Sequence, residues 1–477
     1  MVEIGALATQ QASRFRNILL LAATIAAGMY FIPRVVLAYG VVGATGAILL
    51  CGILAMALRG NAEIPLLAWV LLFPLGYYFL SFPRERPWVT LDRATVGICL
   101  LAACLAAEHT VTRIPGSQRR AAWAWAAFVL AILLSFVHLP SLLSPFRVAI
   151  DAFLLPPLLG WYVIRCFPVR KHLRVLHVFT CCMAFYLAGI GAAEMVLGQD
   201  LFLLPGAGEY YAGVGESLLF RPNGPFLASH SLGIVGLCSF CFLIFLRRAS
   251  HSSWTRAERV LHWCGLAASV VVALLPLLRS VALTLVVIVI LDALMERPKS
   301  WPLVVGGLAL LLGTLLLFAW LYLPEVFAER VFNPSNLLGR MAQQQQTLDV
   351  FRQHPIIGVG FTNFSVGVDR LRGTSYFEDV AAVNSPHNTL GAMLAETGLC
   401  GFLTLIASQI LFVAAFWRVR ARRVASEVSG WPFFLYLFLA YWLNGLSIST
   451  IYSSDINFYY VFLTAALYKF AITGSQG

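Results

Sequence analysis

The chain has 477 residues, of which 60% are hydrophobic and 12% are charged, and its formal net charge is +11. A soluble protein of this length would carry about 25% charged residues, so this composition and a mean hydropathy of +0.81 exclude an ordinary soluble enzyme. Apolar runs of about 17–25 residues recur from end to end, which predicts an all-α, polytopic membrane protein. No basic domain stands outside these runs, which argues against nucleic acid as a partner.

The apolar runs predict about 12–14 transmembrane helices, because the first two runs and the pair at 259–295 could each merge or re-enter the membrane. In chain order, the predicted spans are 17–33, 35–58, 64–82, 92–112, 121–139, 147–165, 173–197, 225–246, 259–277, 280–295, 301–323, 387–417, 430–450 and 456–473.

Arginine-rich short loops orient these spans. When fourteen spans are counted, the loops around Arg119, Arg170, Arg247 and Arg420 fall on the same side of the membrane. This side is predicted to be cytoplasmic, and both termini lie on it. The loop around Arg84 falls outside, against the same rule. The resulting division is 1–197 for N-terminal transmembrane helices, 198–224 for an outer loop, 225–323 for central transmembrane helices, 324–386 for a large outer loop and 387–477 for C-terminal transmembrane helices.

The large outer loop contains "NLLGRMAQQQQTLDVFRQHP" at 336–355. Apolar residues recur there at helical spacing, which predicts an amphipathic helix on the outer membrane interface. Pro355 should stop this helix, and Gly358 and Gly360 should form the turn after it. The apolar positions are Leu338, Met341, Leu348 and Phe351.

Ionisable residues in or near the spans gather at the predicted outer ends. Such groups are rarely kept in a bilayer without a function. A secondary transporter would instead need a midplane site, usually on broken helices. The pattern therefore favours chemistry at the outer leaflet. The residues concerned are Arg147, Asp151, Glu194, Arg221, His230, Arg279, His387, Glu396 and Asp455.

Three outer arginines are candidates for phosphate binding, which a guanidinium group achieves with two parallel hydrogen bonds. Arg221 lies in "LLFRPNGPF", Arg279 in "LLPLLRSVALTL" and Arg340 in "SNLLGRMAQ". The alternative is an arginine that extends from a helix end to water. That alternative is weakest for Arg279, whose flanks are apolar.

The stretch "NSPHNTLGAMLAETGLCG" at 384–401 opens an apolar helix with polar residues. Ser385 is predicted to cap the helix, which places His387 and Asn388 in its first turn. A helix N-terminus favours an anion and disfavours imidazolium, so a neutral His387 could act as a base; the alternative is a histidine that caps its own helix. Glu396, about 13 Å deeper and across the helix, should contact a neighbouring helix instead of His387.

These motifs resemble those of the O-antigen ligase and O-antigen polymerase family. The similarity is carried by the His-Asn pair, by the Glu-x-Gly-x-x-Gly pattern of "ETGLCG", and by "HPIIGVGFTNF" upstream. "FRPNGPF" and the pair Arg279-Ser280 are similar to the family's two earlier arginine motifs. The resemblance covers roughly residues 215–405.

The resemblance implies a glycosyltransferase of the bacterial inner membrane. Such proteins take a glycan from undecaprenyl diphosphate at the periplasmic face and pass it to an acceptor. The acceptor is lipid A–core for O-antigen ligases in lipopolysaccharide assembly, a lipid-linked repeat unit for polymerases, and a protein side chain in a third branch. The histidine motif favours the ligase.

The resemblance further implies that His387 is catalytic, and that Arg221, Arg279 and Arg340 bind the diphosphate. No Asp-x-Asp motif is present, so no metal or cofactor is expected, and one displacement would invert the anomeric carbon. A transporter of lipid-linked oligosaccharides and a structural membrane scaffold are the alternatives. Supporting roles are predicted for Asn388, Glu396, His230, Arg147 and Asp151.

Overall fold

A computed structural model gives the architecture of most of the chain. It describes residues 52–56, 63–75, 81–82, 88–105, 116–202, 211–212, 219–250, 254–296, 306, 313, 335–370, 386–420 and 430–473.

Most of the described residues are helical. The helices are α1 (Ile64–Leu72), α2 (Leu91–Leu105), α3 (Gly116–Ser135), α4 (Leu143–Ala149), α5 (Leu155–Cys166), α6 (Val169–Leu197), α7 (Ser229–Ser250), α8 (Arg256–Leu274), α9 (Arg279–Glu296), α10 (Ser335–Gln353), α11 (Phe364–Arg370), α12 (Thr389–Arg420), α13 (Gly430–Gly445) and α14 (Ser454–Thr473). Short 3₁₀ turns lie at Phe73–Leu75, Phe136–His138 and Thr450–Tyr452, and a π-helical turn at Ile150–Leu154 joins α4 to α5. Two small antiparallel pairs are formed by β1 (Ser81–Phe82) with β2 (Val89–Thr90) and by β3 (Tyr211–Ala212) with β4 (Leu219–Phe220).

Seven of the described helical segments are long and apolar enough to cross a membrane. This confirms the prediction of a polytopic helical membrane protein. The predicted span 17–33, and most of 35–58 and 301–323, lie outside the described residues. The seven segments are Gly116–His138, Leu143–Cys166, Val169–Leu197, Ser229–Ser250, Arg256–Leu274, Thr389–Val419 and Ser454–Thr473.

Helix α7 is the centre of the bundle. Every residue from Ser231 to Leu246 is buried, and α6, α8, α13 and α14 pack around it. A Cβ atom added at Gly236 would lie 2.7 Å from the backbone nitrogen of Ala273, so α7 and α8 pack closely at this point. The apolar surface of α7 on all sides explains this placement, because a helix that is hydrophobic all round is buried.

Helix α12 runs along α3 and receives α10 and α11 on its N-terminal half. The predicted helix in the large loop is confirmed as α10, and it ends at Gln353, just before Pro355. Val350 is fully buried in a small cluster with Ala395 of α12, whereas Met341 and Leu348 are exposed at the protein surface. The position of α10 at a membrane interface stays a prediction.

Candidate functional site

His387 immediately precedes helix α12, which begins at Thr389. The side-chain Oδ1 of Asn388 accepts hydrogen bonds from the next backbone N–H groups, those of Leu390 and Gly391, at 2.9 and 3.3 Å. Asn388 is therefore the N-cap, and the prediction that His387 lies in the first turn is wrong. Ser385, the predicted cap, lies outside the described residues. The His387 side chain is exposed.

The loop between α13 and α14 holds the backbone on both sides of His387. The Ser449 hydroxyl donates a hydrogen bond to the carbonyl of Pro386. The Thr389 hydroxyl donates to the carbonyl of Ile448 at 3.2 Å. These two contacts fix the position of His387 relative to the end of the helical bundle.

His230 lies close to two other residues that the sequence singled out, Arg221 and His387. It lies in the first turn of α7, and its Nε2 is 3.0 Å from the Ser453 hydroxyl, in the loop that leads into α14. Arg221 and His387 both act on His230 electrostatically. The fold thus brings His387 to Arg221 and His230 at one end of the bundle, although His387 lies far from both in sequence.

Arg221 reaches toward the segment that precedes Arg279. Its Nε donates a hydrogen bond to the carbonyl of Pro276 at 2.9 Å. Leu277 follows with φ of 54°, a left-handed conformation that is unusual for a bulky residue. Arg279 then begins α9 and is exposed. Within the described part of the chain, no hydrogen bond or ion pair joins Arg279 to His387.

The turn that carries Arg221 is held by a buried carboxylate. Glu194, at the end of α6, accepts hydrogen bonds from the backbone N–H groups of Gly224 at 2.7 Å and Leu201 at 3.1 Å. Asn223 donates to Asp200 at 3.2 Å. Glu194 was grouped in the sequence with the outer ionisable residues, and the structure gives it a positioning function for the "FRPNGPF" turn.

Glu396 is buried and holds two other segments instead of pairing with His387. Its Oε2 accepts hydrogen bonds from the backbone N–H of Thr362 at 2.7 Å and from the Tyr452 hydroxyl at 2.6 Å. Burial, together with the neighbouring carboxylate, raises the pKa of Tyr452 well above its ordinary value, so the phenol stays protonated and donates. The expectation that Glu396 contacts a neighbouring helix is wrong, because its partners lie in a loop and a 3₁₀ turn.

Residues 355–364, which we call the crossing loop, pass through a break in α12 at Gly398. In a continuous helix, the N–H groups of Leu399 and Cys400 would bond to the carbonyls four residues earlier. The crossing loop replaces these two bonds with four. They run from Leu399 N to Pro355 O (2.9 Å), from Cys400 N to Ile356 O (3.1 Å), from Val359 N to Ala395 O (3.1 Å) and from Gly360 N to Glu396 O (3.0 Å).

Two glycines allow the two backbones to cross. Gly358 has φ of 74°, and a Cβ atom there would lie 2.2 Å from the carbonyl carbon of Glu396. Gly398 has φ of 62°, and its Cβ atom would lie 2.4 Å from the carbonyl carbon of Ile356. Because the obstructing atoms belong to backbone, a side-chain rotation cannot relieve either clash. The predicted turn at Gly358 is confirmed.

A pair of histidines, which the sequence did not single out, lies beside the crossing loop. The rings of His138 and His354 have centroids 4.3 Å apart, and His138 Nδ1 donates to the carbonyl of Gly358 at 2.8 Å. Burial, with His138 and Arg370 nearby, lowers the pKa of His354. The pair connects the end of α3 to the crossing loop.

Asp151 and Arg147, two predicted supporting residues, lie in a separate cluster near the site. Asp151 forms a two-bond ion pair with Arg93, with both N–O distances at 2.6 Å. The Arg147 guanidinium lies over the Trp88 ring, 5.1 Å from its centroid. Arg147 and Asp151 line a cavity of about 70 Å³ together with Ser454, the neighbour of the residue that contacts His230.

Arg340 lies within α10, and a role for its side chain stays a prediction. Farther along, α10 approaches the first turn of α12, since a Cβ atom at Gly391 would lie 3.1 Å from Thr347. Among the described residues, no group of three or more His, Cys, Asp or Glu side chains is arranged to hold a metal ion.

Residues 264–406 match Wzy_C, the O-antigen ligase family. The matched segment includes Arg279, α10, the crossing loop, His387 and Glu396. No curated protein matches the chain in sequence. Members of the matched family are glycosyltransferase-like ligases and polymerases.

Proposed function

Since the chain carries the O-antigen ligase domain at residues 264–406, we propose that it transfers a glycan from undecaprenyl diphosphate to an acceptor at the membrane surface. The observation that carries the proposal is the convergence of Arg221, His230 and the exposed His387 at one end of the bundle. We place this end at the periplasmic face of the bacterial inner membrane, with both termini cytoplasmic, on the arginine distribution.

In this proposal the arginines stabilise the leaving group. A departing diphosphate needs no proton, but its charge must be balanced, and a guanidinium fork matches phosphate oxygens. Arg221 is anchored beside the segment that ends at Arg279, which supports a joint role for the two, and Arg340 is a third candidate. Asn388 already accepts hydrogen bonds from two N–H groups in the first turn of α12, those of Leu390 and Gly391. The diphosphate therefore depends on the arginines more than on this helix end.

His387 is proposed as the general base. It takes the proton of the acceptor hydroxyl, whose oxygen then bonds to the anomeric carbon of the donor sugar. The bond from that carbon to the diphosphate oxygen breaks, and its electron pair leaves with undecaprenyl diphosphate. One such displacement inverts the anomeric carbon and requires no metal. The contacts of Ser449 and Thr389 on either side of His387 support a fixed position for such a base.

The test uses purified protein, a defined lipid-linked donor and single-turnover kinetics. His387→Ala should slow transfer by about 10²–10⁴-fold, the usual contribution of a general base, while donor binding changes little. His387→Gln keeps a hydrogen-bonding side chain, so it should retain activity if His387 only holds the structure in place. Turnover near that of the wild type in His387→Gln would contradict the catalytic role.

The acceptor separates the two functions within the family. We favour O-antigen ligase, with lipid A–core as acceptor, because the "PHN" motif at 386–388 fits the ligase pattern, and the alternative is a polymerase that extends a lipid-linked glycan. A deletion strain distinguishes them. Loss of core-attached polymer with accumulation of lipid-linked polymer indicates a ligase, whereas accumulation of single lipid-linked repeat units indicates a polymerase.

A further inference from the structure

A cavity of about 370 Å³ lies between α3, α5, α12, α13 and α14. Its inner end, at Ile451 and Asn457, approaches the candidate site, and its other end lies at the start of α3. Aliphatic and aromatic side chains form most of its wall. It reaches the surface beside Trp123, which lines it and is 76% exposed. Apolar cavities stay dry, so an empty one would leave its wall atoms without contact partners. Its volume equals that of roughly a dozen water molecules at ~30 Å³ each, which suits part of a lipid chain.

One end of this cavity is polar and cationic. Arg119 and Gln118, in the first turn of α3, line it. Within the described part of the chain Arg119 makes no ion pair or hydrogen bond, and the buried Gln118 Oε1 has no donor. Trp161 also lines this cavity and carries the Arg165 guanidinium at 5.4 Å from its ring centroid. Tryptophan and arginine together are typical of a membrane–water interface.

This polar end is remote from the candidate site. At the other end of α3, the Ser135 hydroxyl accepts a hydrogen bond from the backbone of Phe361 in the crossing loop. Arg119 and Ser135 are sixteen residues apart on one helix, which is about 24 Å along its axis. A lipid whose headgroup contacts Arg119 therefore lies in the opposite leaflet from the proposed donor.

We propose that this cavity binds an acyl chain of an anionic phospholipid whose phosphate is held by Arg119. The guanidinium supplies a two-point contact for phosphate, and Gln118 Oε1 accepts a hydrogen bond from a hydroxylated headgroup. Basic pockets between transmembrane helices bind anionic headgroups in this way. The phosphate contact at Arg119 lies at the opposite end of α3 from the candidate site and does not rest on the proposed transfer reaction.

The headgroup is tested by titrating delipidated full-length protein in detergent with phosphatidylglycerol or phosphatidylcholine of identical chains, followed by thermal unfolding. Phosphatidylglycerol should raise Tm at lower concentration. Arg119→Gln should weaken its effect by at least about tenfold, the loss expected for one charge-assisted contact. Arg120→Gln is the matched control, because Arg120 is exposed and does not line the cavity. Equal effects of the two lipids, or of the two variants, would overturn the assignment.

The chain is tested by filling the cavity. Ala122 lines it and Ala127 of the same helix does not, although both are exposed. Ala122→Phe should abolish the stabilisation by phosphatidylglycerol, and Ala127→Phe should retain it. A loss in both variants would contradict an acyl chain at this position.

A third measurement uses the wild-type protein, so it does not depend on the folding of any variant. Phosphatidylglycerol with a photoactivatable group on its acyl chain is crosslinked and the labelled peptides are sequenced. Labels should fall on residues 118–125 and 457–468, which contribute to the cavity wall. Labels confined to other helices would overturn the proposal. So would labels at the cavity that are removed by undecaprenyl diphosphate but not by excess phosphatidylcholine.

Discussion

The crossing of two backbones at Gly358 and Gly398 leads to a sharp prediction for Gly358→Ala. The added methyl group would lie 2.2 Å from the Glu396 carbonyl carbon, so the crossing loop must move away by an ångström or more. That movement lengthens hydrogen bonds that now measure 2.9–3.1 Å beyond the usual limit.

The magnitude follows from these contacts. Loss of two of the four bonds costs about 1–3 kcal/mol, and alanine in a left-handed conformation costs a further 1–2 kcal/mol or so. Gly358→Ala should therefore destabilise this junction by roughly 2–5 kcal/mol. Gly398→Ala should act similarly, and the double variant should cost less than the sum because both changes break one junction.

The assay is thermal unfolding of purified protein in detergent, with Gly189→Ala as the matched control. Gly189 lies inside α6, and no atom lies within 4 Å of its added Cβ. That substitution should leave Tm unchanged or raise it, since alanine favours a helix by up to about 1 kcal/mol over glycine. If Gly358→Ala unfolds at the temperature of Gly189→Ala, the close crossing does not hold these segments together.

Arg279→Ala should abolish transfer, and Arg279→Lys should lose much of it, because a point charge does not replace a guanidinium fork. Inhibition by EDTA that added magnesium reverses would count against the idea that arginines, in place of a metal, stabilise the leaving diphosphate. A cysteine introduced at Ser335 should react with an impermeant thiol reagent from outside and one at Ser426 should not, and labelling at Ser426 would reverse the topology. The pKa of His354 is lower in the folded protein than in the unfolded chain. The unfolded chain therefore binds a proton more readily, so the folded state is most stable above about pH 6.5 and loses stability as the pH falls below that value. The Tm of His354→Gln should vary less between about pH 7.5 and about pH 5.5 than that of the wild type, and parallel curves would exclude this contribution.

The sequence predicted elements whose signals are local. The helix α10 and its end before Pro355 follow from periodicity and proline chemistry. The cap of α12 was misplaced because Ser385 and Asn388 are both good N-caps, and local sequence does not rank them. The loop at 448–449, about sixty residues later, contacts both sides of His387 and thereby fixes the backbone there.

Partners that lie far apart in sequence could not be predicted. Glu396 bonds to residues 34 and 56 positions away, and Asp151 pairs with Arg93 at a separation of 58. Neither pairing has a local pattern, because each depends on how helices pack. Likewise, the sequence predicts a turn at Gly358. It does not predict that the backbone there crosses α12, because this crossing depends on the break at Gly398.

The burial of α7 from Ser231 to Leu246 has a consequence for how the protein is assembled during synthesis. Helices enter the membrane in chain order, so α7 is inserted before α13 and α14, which later cover it, have been made. Until then part of its surface faces lipid, which its apolar side chains tolerate, and the Ser239 hydroxyl is satisfied by its own helix through the Val235 carbonyl at 2.7 Å. The contact of Ser239 with Tyr459 at 3.0 Å forms last. Insertion and packing are thus separate stages here, and we expect α7 to remain stably inserted in a nascent chain that ends before residue 430.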